Sequence, residues 1–154
     1  MGSGKTAAGR LFARRIGWTF VDLDRAVERS EGKSVSRIFR EGGEAAFRRL
    51  ERRAFLAAAA RNRVVVACGG GAVEDAATRR RLATEQTVWL SAPLAILARR
   101  LGRSARKRPL FGKRPPVSLY RRRARLYRAC ARVRISTGGR NTRTVAALLA
   151  ARLG

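Results

Sequence analysis

Residues 1–10 read MGSGKTAAGR, and the stretch Gly2-Ser3-Gly4-Lys5-Thr6 within them decides the fold. Gly4-Lys5-Thr6 completes the second half of the phosphate-loop pattern G-x-x-x-x-G-K-[ST]. A helix-forming segment, 7–16, follows at once, with Leu11, Phe12 and Ile16 on one side and arginines on the other, and Gly17 ends it. Backbone N–H groups and the positive end of that helix would face an anion. Lys5 would reach terminal phosphates, and the Thr6 hydroxyl would hold Mg²⁺. A surface loop could carry GSGKT by chance, but a helix directly behind it argues for the phosphate-binding reading.

Working outward, TFVDLD at 19–24 reads as a short strand. Asp22 and Asp24 lie two apart, hence on one face and at its carboxyl end, where both could point into a ligand crevice. Either alone could instead cap a helix beginning near Arg25. Ser34 can cap a helix holding Val35, Ile38 and Phe39, which Gly42-Gly43 breaks, and a longer helix runs from about Glu44 through Phe47, Leu50, Ala54 and Ala57. On it Arg48 has Glu44 four residues before and Glu51 three after. Spacing alone favours an exposed ion pair there over a guanidinium fork gripping a carboxylate.

Residues 64–67, VVVA, form a continuous apolar run, as a strand covered on both faces would, and stop at Gly69-Gly70-Gly71. One glycine would suffice for a turn; three argue that something approaches bare backbone closely. Residues 87–90 repeat the strand type. A helix at 94–101 follows, then a basic, proline-punctuated stretch at 103–118 without periodicity, read as a mobile lid. A helix at 120–131, a strand at 133–135 and a helix at 145–153 complete the chain. Strands alternating with helices predict an α/β fold, a mostly parallel sheet flanked by helices with its ligand site at the carboxyl ends of the strands, in one domain spanning 1–154.

Composition narrows the chemistry further. Lys plus Arg total 36 against 10 acidic residues, a net charge of +26, so any polyanion is attracted. Only Lys5, Lys33, Lys107 and Lys113 are lysines, and arginine is spread along the whole chain, which reads as compositional bias rather than a dedicated basic arm. With no histidine, histidine acid/base catalysis and histidine-ligated metals are excluded. The two cysteines, Cys68 and Cys130, make no metal spacing and no disulfide framework, and a reducing cytoplasm fits them best. No apolar run approaches the ~20 residues a membrane span needs, and no signal peptide opens the chain.

Taken in order, GSGKT, FVDLD, GEAAFRRLER, ACGGGAV, TVWLSAP, RPLF and RARLYRACARVRIST resemble shikimate kinase, from Met1 to the C-terminal helix. The resemblance implies P-loop kinase topology and transfer of the ATP γ-phosphoryl group to the 3-hydroxyl of shikimate. It places Gly2, Ser3, Gly4, Lys5 and Thr6 on the phosphates, Thr6 on Mg²⁺ and Asp22 in the metal shell through water. Asp24 would bind the shikimate hydroxyls and take a proton, and Arg48, Gly69, Gly70, Gly71 and Arg123 would bind shikimate, the arginines through its carboxylate. Arg108 would close over the phosphates from the lid, with Lys5 and Asp24 as its catalytic partners. Arg100 and Arg140 would lie on the nucleotide side, Arg100 near the adenine. The implied protein is a cytoplasmic monomer that uses ATP and Mg²⁺ and binds nucleic acid only through non-specific charge.

The chain also departs from the family. The family's loop is preceded by a central strand and another glycine, and neither stands ahead of Met1. Met1 is therefore expected to be an internal methionine, with about ten residues, one strand and its lead-in, before it. Without that strand, 64–67 and 87–90 would expose unpaired edges. Two other readings stay open: a non-catalytic ligand-binding or regulatory domain of the same fold, and a basic nucleic-acid-binding protein.

Overall fold

A computed structural model describes residues 2–102 and 117–153. Helix α1 (Lys5–Arg15) starts at the half-loop, and Gly17, at φ +70°, turns the chain into strand β1 (Thr19–Asp22). β1 pairs in parallel with β2 (Val64–Ala67), Thr19 opposite Val64 and Asp22 opposite Ala67. Between them lie α2 (Leu23–Glu31) and the 25-residue α3 (Val35–Ala59). A second parallel pair joins β3 (Val88–Ser91) to β4 (Val133–Ser136), Val88 opposite Val133 and Ser91 opposite Ser136. The remaining helices are α4 (Ala76–Thr84), α5 (Leu94–Gly102), α6 (Val117–Cys130) and α7 (Thr142–Leu153).

The alternation of β2 explains its unbroken apolar run. Val64 and Val66 pack against Leu23, Phe55, Val73, Leu82 and Cys130 on one face, while Val65 packs with Phe12, Ile135, Val145 and Leu149 on the other. Each face of a strand so covered needs apolar side chains. A smaller cluster, Val27, Ile38 and Phe47, closes α2 on α3. Helices α1 and α7 thus cover one side of the strands, with α3, α4 and α6 on the other.

Among the described residues the strands form two two-stranded ladders, and none joins β2 to β3. A cavity of about 750 Å³ lies between them, lined by residues 64–70 on one side and 87–92 on the other, and it reaches Ser3 and Lys5. The edges expected to lack a partner are therefore the walls of this cleft.

Beyond shifts of a few residues at element ends, the structure differs from the sequence reading in four places. β1 ends at Asp22, because the Asp22 side chain accepts from Arg25 N at 3.4 Å and caps α2, so Asp24 stands in the first turn of a helix and not beside Asp22 on a strand face. The glycine pair at 42–43 kinks α3 without ending it: only Gly43, at φ +70° and ψ −176°, leaves helical geometry. Helix α4 was not foreseen; Asp75 caps it, accepting from Thr78 N at 2.8 Å. Val117 and Ser118, assigned to the lid, open α6 instead, and 103–116 lie outside the described residues.

Candidate active site

The anion end of the site is built by two glycines. Gly2 (φ +64°) and Gly4 (φ +80°) take left-handed conformations that turn the chain sharply into α1, and Gly4 caps the helix with no side-chain bond to its first N–H groups. The unsatisfied amides of a first turn are a binding surface for phosphate. Thr6 Oγ1 donates to Asp22 Oδ2 at 2.8 Å, so the cap of α2 and the start of α1 meet. A hydroxyl and a carboxylate oxygen are the hard donors that Mg²⁺ takes, with phosphates and waters completing its shell. The pair fits that ion, and among the described residues no cluster of three or more acidic, cysteine or histidine side chains offers an all-protein cage.

Across the carboxyl ends of β1 and β2, a second group gathers around the glycine run. Arg48 donates from Nη1 to Glu51 Oε2 at 2.5 Å and from Nη2 to Glu44 Oε1 at 3.0 Å, and its guanidinium lies 5.3 Å from the Phe47 ring centre. The exposed surface pair expected from spacing is mostly buried: side-chain exposure is 14% for Arg48 and 2% for Glu51. A side chain at either outer glycine would displace this packing. A methyl group at Gly71 would overlap the Arg48 guanidinium, and one at Gly69 would collide with Glu51 Oε1 and stand 3.4 Å from Asp24 Oδ1.

Glu51 is the buried acid of this group, which the sequence reading treated only as an ion-pair partner. Its Oε1 is buried and has no hydrogen-bond partner among the described residues. Burial pushes its carboxyl above the usual range and Asp24 adds to that push, while Arg48 and Arg123 oppose it. Burial works against the charge on Arg48 too, but Glu51 and Glu44 outweigh it, so the cation is held. The one available signal was Glu51's place a helical turn from Arg48, on the same face.

Arg123, on α6, is buried beside the same loop and donates from Nε to Glu74 Oε1 at 3.0 Å. One turn later Tyr127 donates to Gly70 O at 2.5 Å. Burial pushes the Cys68 thiol up to about 12, with Glu51, Asp24 and Asp22 adding to the shift and Lys5 opposing it, so these groups share one electrostatic neighbourhood. Lys5, Gly69, Gly70 and Arg123 line one cavity.

The two arginines expected on the nucleotide side bond to the end of β4 and the segment after it. Arg100 donates to Gly2 O at 3.2 Å, to Thr137 Oγ1 at 3.1 Å and to Thr137 O at 3.0 Å, clasping the half-loop to the segment after β4. Arg140 is exposed and donates to Ser136 O at 2.8 Å on that segment. Arg108 lies outside the described residues. Both cysteines are free, and no described helix is long and apolar enough to cross a membrane.

Comparison with known proteins shows the family. The family model for shikimate kinase matches residues 1–153. A shikimate kinase of Thermobifida fusca is 40% identical over 155 residues, which span 99% of this chain and 90% of that protein. One from Persephonella marina is 36% identical over 92% of this chain and 87% of its own length. Among solved structures, the shikimate kinase of Acinetobacter baumannii in complex with shikimate superposes with a TM-score of 0.91 at 32% identity, covering 100% of this chain and 91% of that one. The enzyme from Bacteroides thetaiotaomicron gives 0.88 at 30% identity, covering 99% and 93%.

Proposed function

The chain belongs to the shikimate kinase family of ATP-using enzymes, and on that premise we propose that it phosphorylates the 3-hydroxyl of shikimate. The observation that carries the reading is that Lys5 of one half-site and Gly69, Gly70 and Arg123 of a second, unlike one line the same cavity. Helix α1 offers amides and Lys5 to an anion, while Asp24, Arg48, Arg123 and the glycine loop offer a carboxylate and two guanidinium groups to a small polar acid.

In the step itself, the substrate's 3-hydroxyl oxygen bonds to the γ-phosphorus, the bond from that phosphorus to the β–γ bridging oxygen breaks, and ADP leaves. Asp24 takes the hydroxyl proton. Arg48 and Arg123 hold the substrate carboxylate, and the Gly69–Gly71 backbone approaches its ring. Lys5 and the α1 amides neutralise charge on the phosphates, with Arg108 assigned to the same task and Arg100 and Arg140 to the nucleotide. Thr6 directly, and Asp22 through water, would hold Mg²⁺, which when bound spreads the phosphate charge. Positioning and neutralisation suffice for this chemistry, so the lack of histidine is no obstacle. The enzyme works as a single-domain monomer in the cytoplasm.

The test is ADP release from MgATP with and without shikimate. Shikimate-dependent release is expected, and D24N should lower kcat by roughly 10²–10⁴, the usual worth of a positioned general base. A folded chain that neither turns over nor binds shikimate overturns the reading.

A further inference from the structure

Resting on that reading, we propose that Glu74 is a positioning residue that sets the guanidinium of Arg123 for the substrate carboxylate. Glu74 closes the short 3-10 turn Ala72–Glu74, which follows the glycine run directly. Its own N–H donates to Gly71 O at 2.9 Å, and Ala72 N donates to Gly69 O at 3.1 Å, so the turn is bonded to the loop that the substrate approaches. Arg79 Nη1 steadies the turn from behind, donating to Val73 O at 2.7 Å and Glu74 O at 3.3 Å.

From this fixed base, Glu74 Oε1 accepts from Arg123 Nε at 3.0 Å and from Arg122 Nη2 at 2.6 Å. The two bonds are unequal in setting. Side-chain exposure is 5% for Arg123, 19% for Glu74 and 64% for Arg122, so the bond to Arg123 is sheltered and the one to Arg122 is a surface strut. Tyr127 ties the next turn of α6 to Gly70 O. The glycine loop, Glu74 and α6, tied to them through Arg123 and Tyr127, therefore form a closed bracket.

The chemistry of arginine makes the bracket useful. A guanidinium is a planar fork on a long chain, and its grip on a carboxylate depends on the plane being set beforehand. A carboxylate at Nε fixes that plane, so less rotamer freedom is lost when the substrate docks. Burial raises the Glu74 carboxyl, but its bonds from Arg123 and Arg122 outweigh that and hold it below the usual range, so the anchor is an anion at neutral pH.

The experiment compares wild type, E74A, E74Q and R122A. The readouts are kcat, the KM for shikimate and for ATP, the shikimate Kd by tryptophan fluorescence, and Tm; Trp89 lies 5.6 Å from Tyr127 between ring centres. E74A is expected to raise the shikimate KM and Kd about tenfold while kcat and the ATP KM stay within about twofold. E74Q keeps an acceptor oxygen but not the charge and should recover only part of that loss, leaving the shikimate KM about three- to fivefold above wild type, and R122A should leave the shikimate KM unchanged. A drop in Tm without a change in shikimate KM or Kd would make Glu74 merely structural and overturn the proposal. Tighter shikimate binding in E74A would overturn it too, since Glu74 would then be a competitor for Arg123. If wild type itself neither turns over nor binds shikimate, the kinase reading fails first and Glu74's role falls with it. An E74A chain that does not fold leaves the decision to E74Q, whose shikimate KM must then rise at least about threefold.

Discussion

At Glu51 the site holds an acid in a place that disfavours its charge. Burial and Asp24 raise its pKa above the ordinary 4.5, so folding favours the protonated form. That contribution to stability is fully present below pH 4.5 and is lost as pH rises through the folded value. Glu74 and Asp75 run the other way: burial opposes their charge, but the two arginines at Glu74 and the Thr78 amide at Asp75 lower them from 4.5 and 3.8. Their contributions are present above those ordinary values and are lost as pH falls through the folded ones. Urea unfolding across pH should therefore show, for E51Q, no loss on the upward leg that wild type shows, with the acid limb retained. The same variant should raise the shikimate KM by up to about tenfold, because Arg48 keeps an acceptor at position 51 but loses its buried counter-charge and has only the Glu44 charge left. Legibility at this scale was uneven. Lys5, Thr6 and Asp22 stood out through their motifs, whereas Glu51 read as half of a surface ion pair and Glu74 carried no signal, since burial is set by elements far away in sequence.

At the scale of elements, α3 shows how one residue sets a site. Gly43 takes φ +70° and ψ −176°, a region that is essentially glycine's alone, and the segment after it carries Glu44, Phe47, Arg48 and Glu51. G43A is expected to destabilise the protein by about 1–3 kcal/mol and to raise the shikimate KM, because the helix must re-enter at another angle. Urea titration and steady-state kinetics measure both. β2 and β3 were readable as unbroken apolar runs, and most helices through their apolar faces. Helix α4 escaped because Arg79, Arg80 and Arg81 mask its few apolar positions, and only Thr78 and Leu82 are buried. β1 was read two residues long because Asp22 serves both as the last strand residue and as the cap of α2.

For the whole molecule, charge and packing make separate demands. A net charge of +26 on 154 residues repels itself in the compact state, so raising NaCl from about 0.05 to about 0.5 M should raise Tm by several degrees. A thermal melt at both salts decides it; a flat Tm would mean that the local ion pairs already absorb the repulsion. The cleft between β2 and β3 predicts a contrast within one residue type. L23A removes a side chain with no exposure and should cost about 2–5 kcal/mol, whereas L90A, on the cleft wall, should cost about half as much or less. Comparable losses in urea unfolding would show that the cleft is closed in solution.

The sequence by itself determined the anion-binding start of α1, the α/β alternation, the glycine loop and, through seven motifs in order, the family. Each of these is local, a matter of residue types at short spacings, and needs no partner from elsewhere. Only the tertiary structure decided that the Arg48–Glu51 pair is buried and that Arg100 clasps Gly2 to Thr137 across 98 and 37 residues. Burial and long-range hydrogen bonds arise from how the layers stack, and the spacing of residues along the chain carries no record of that.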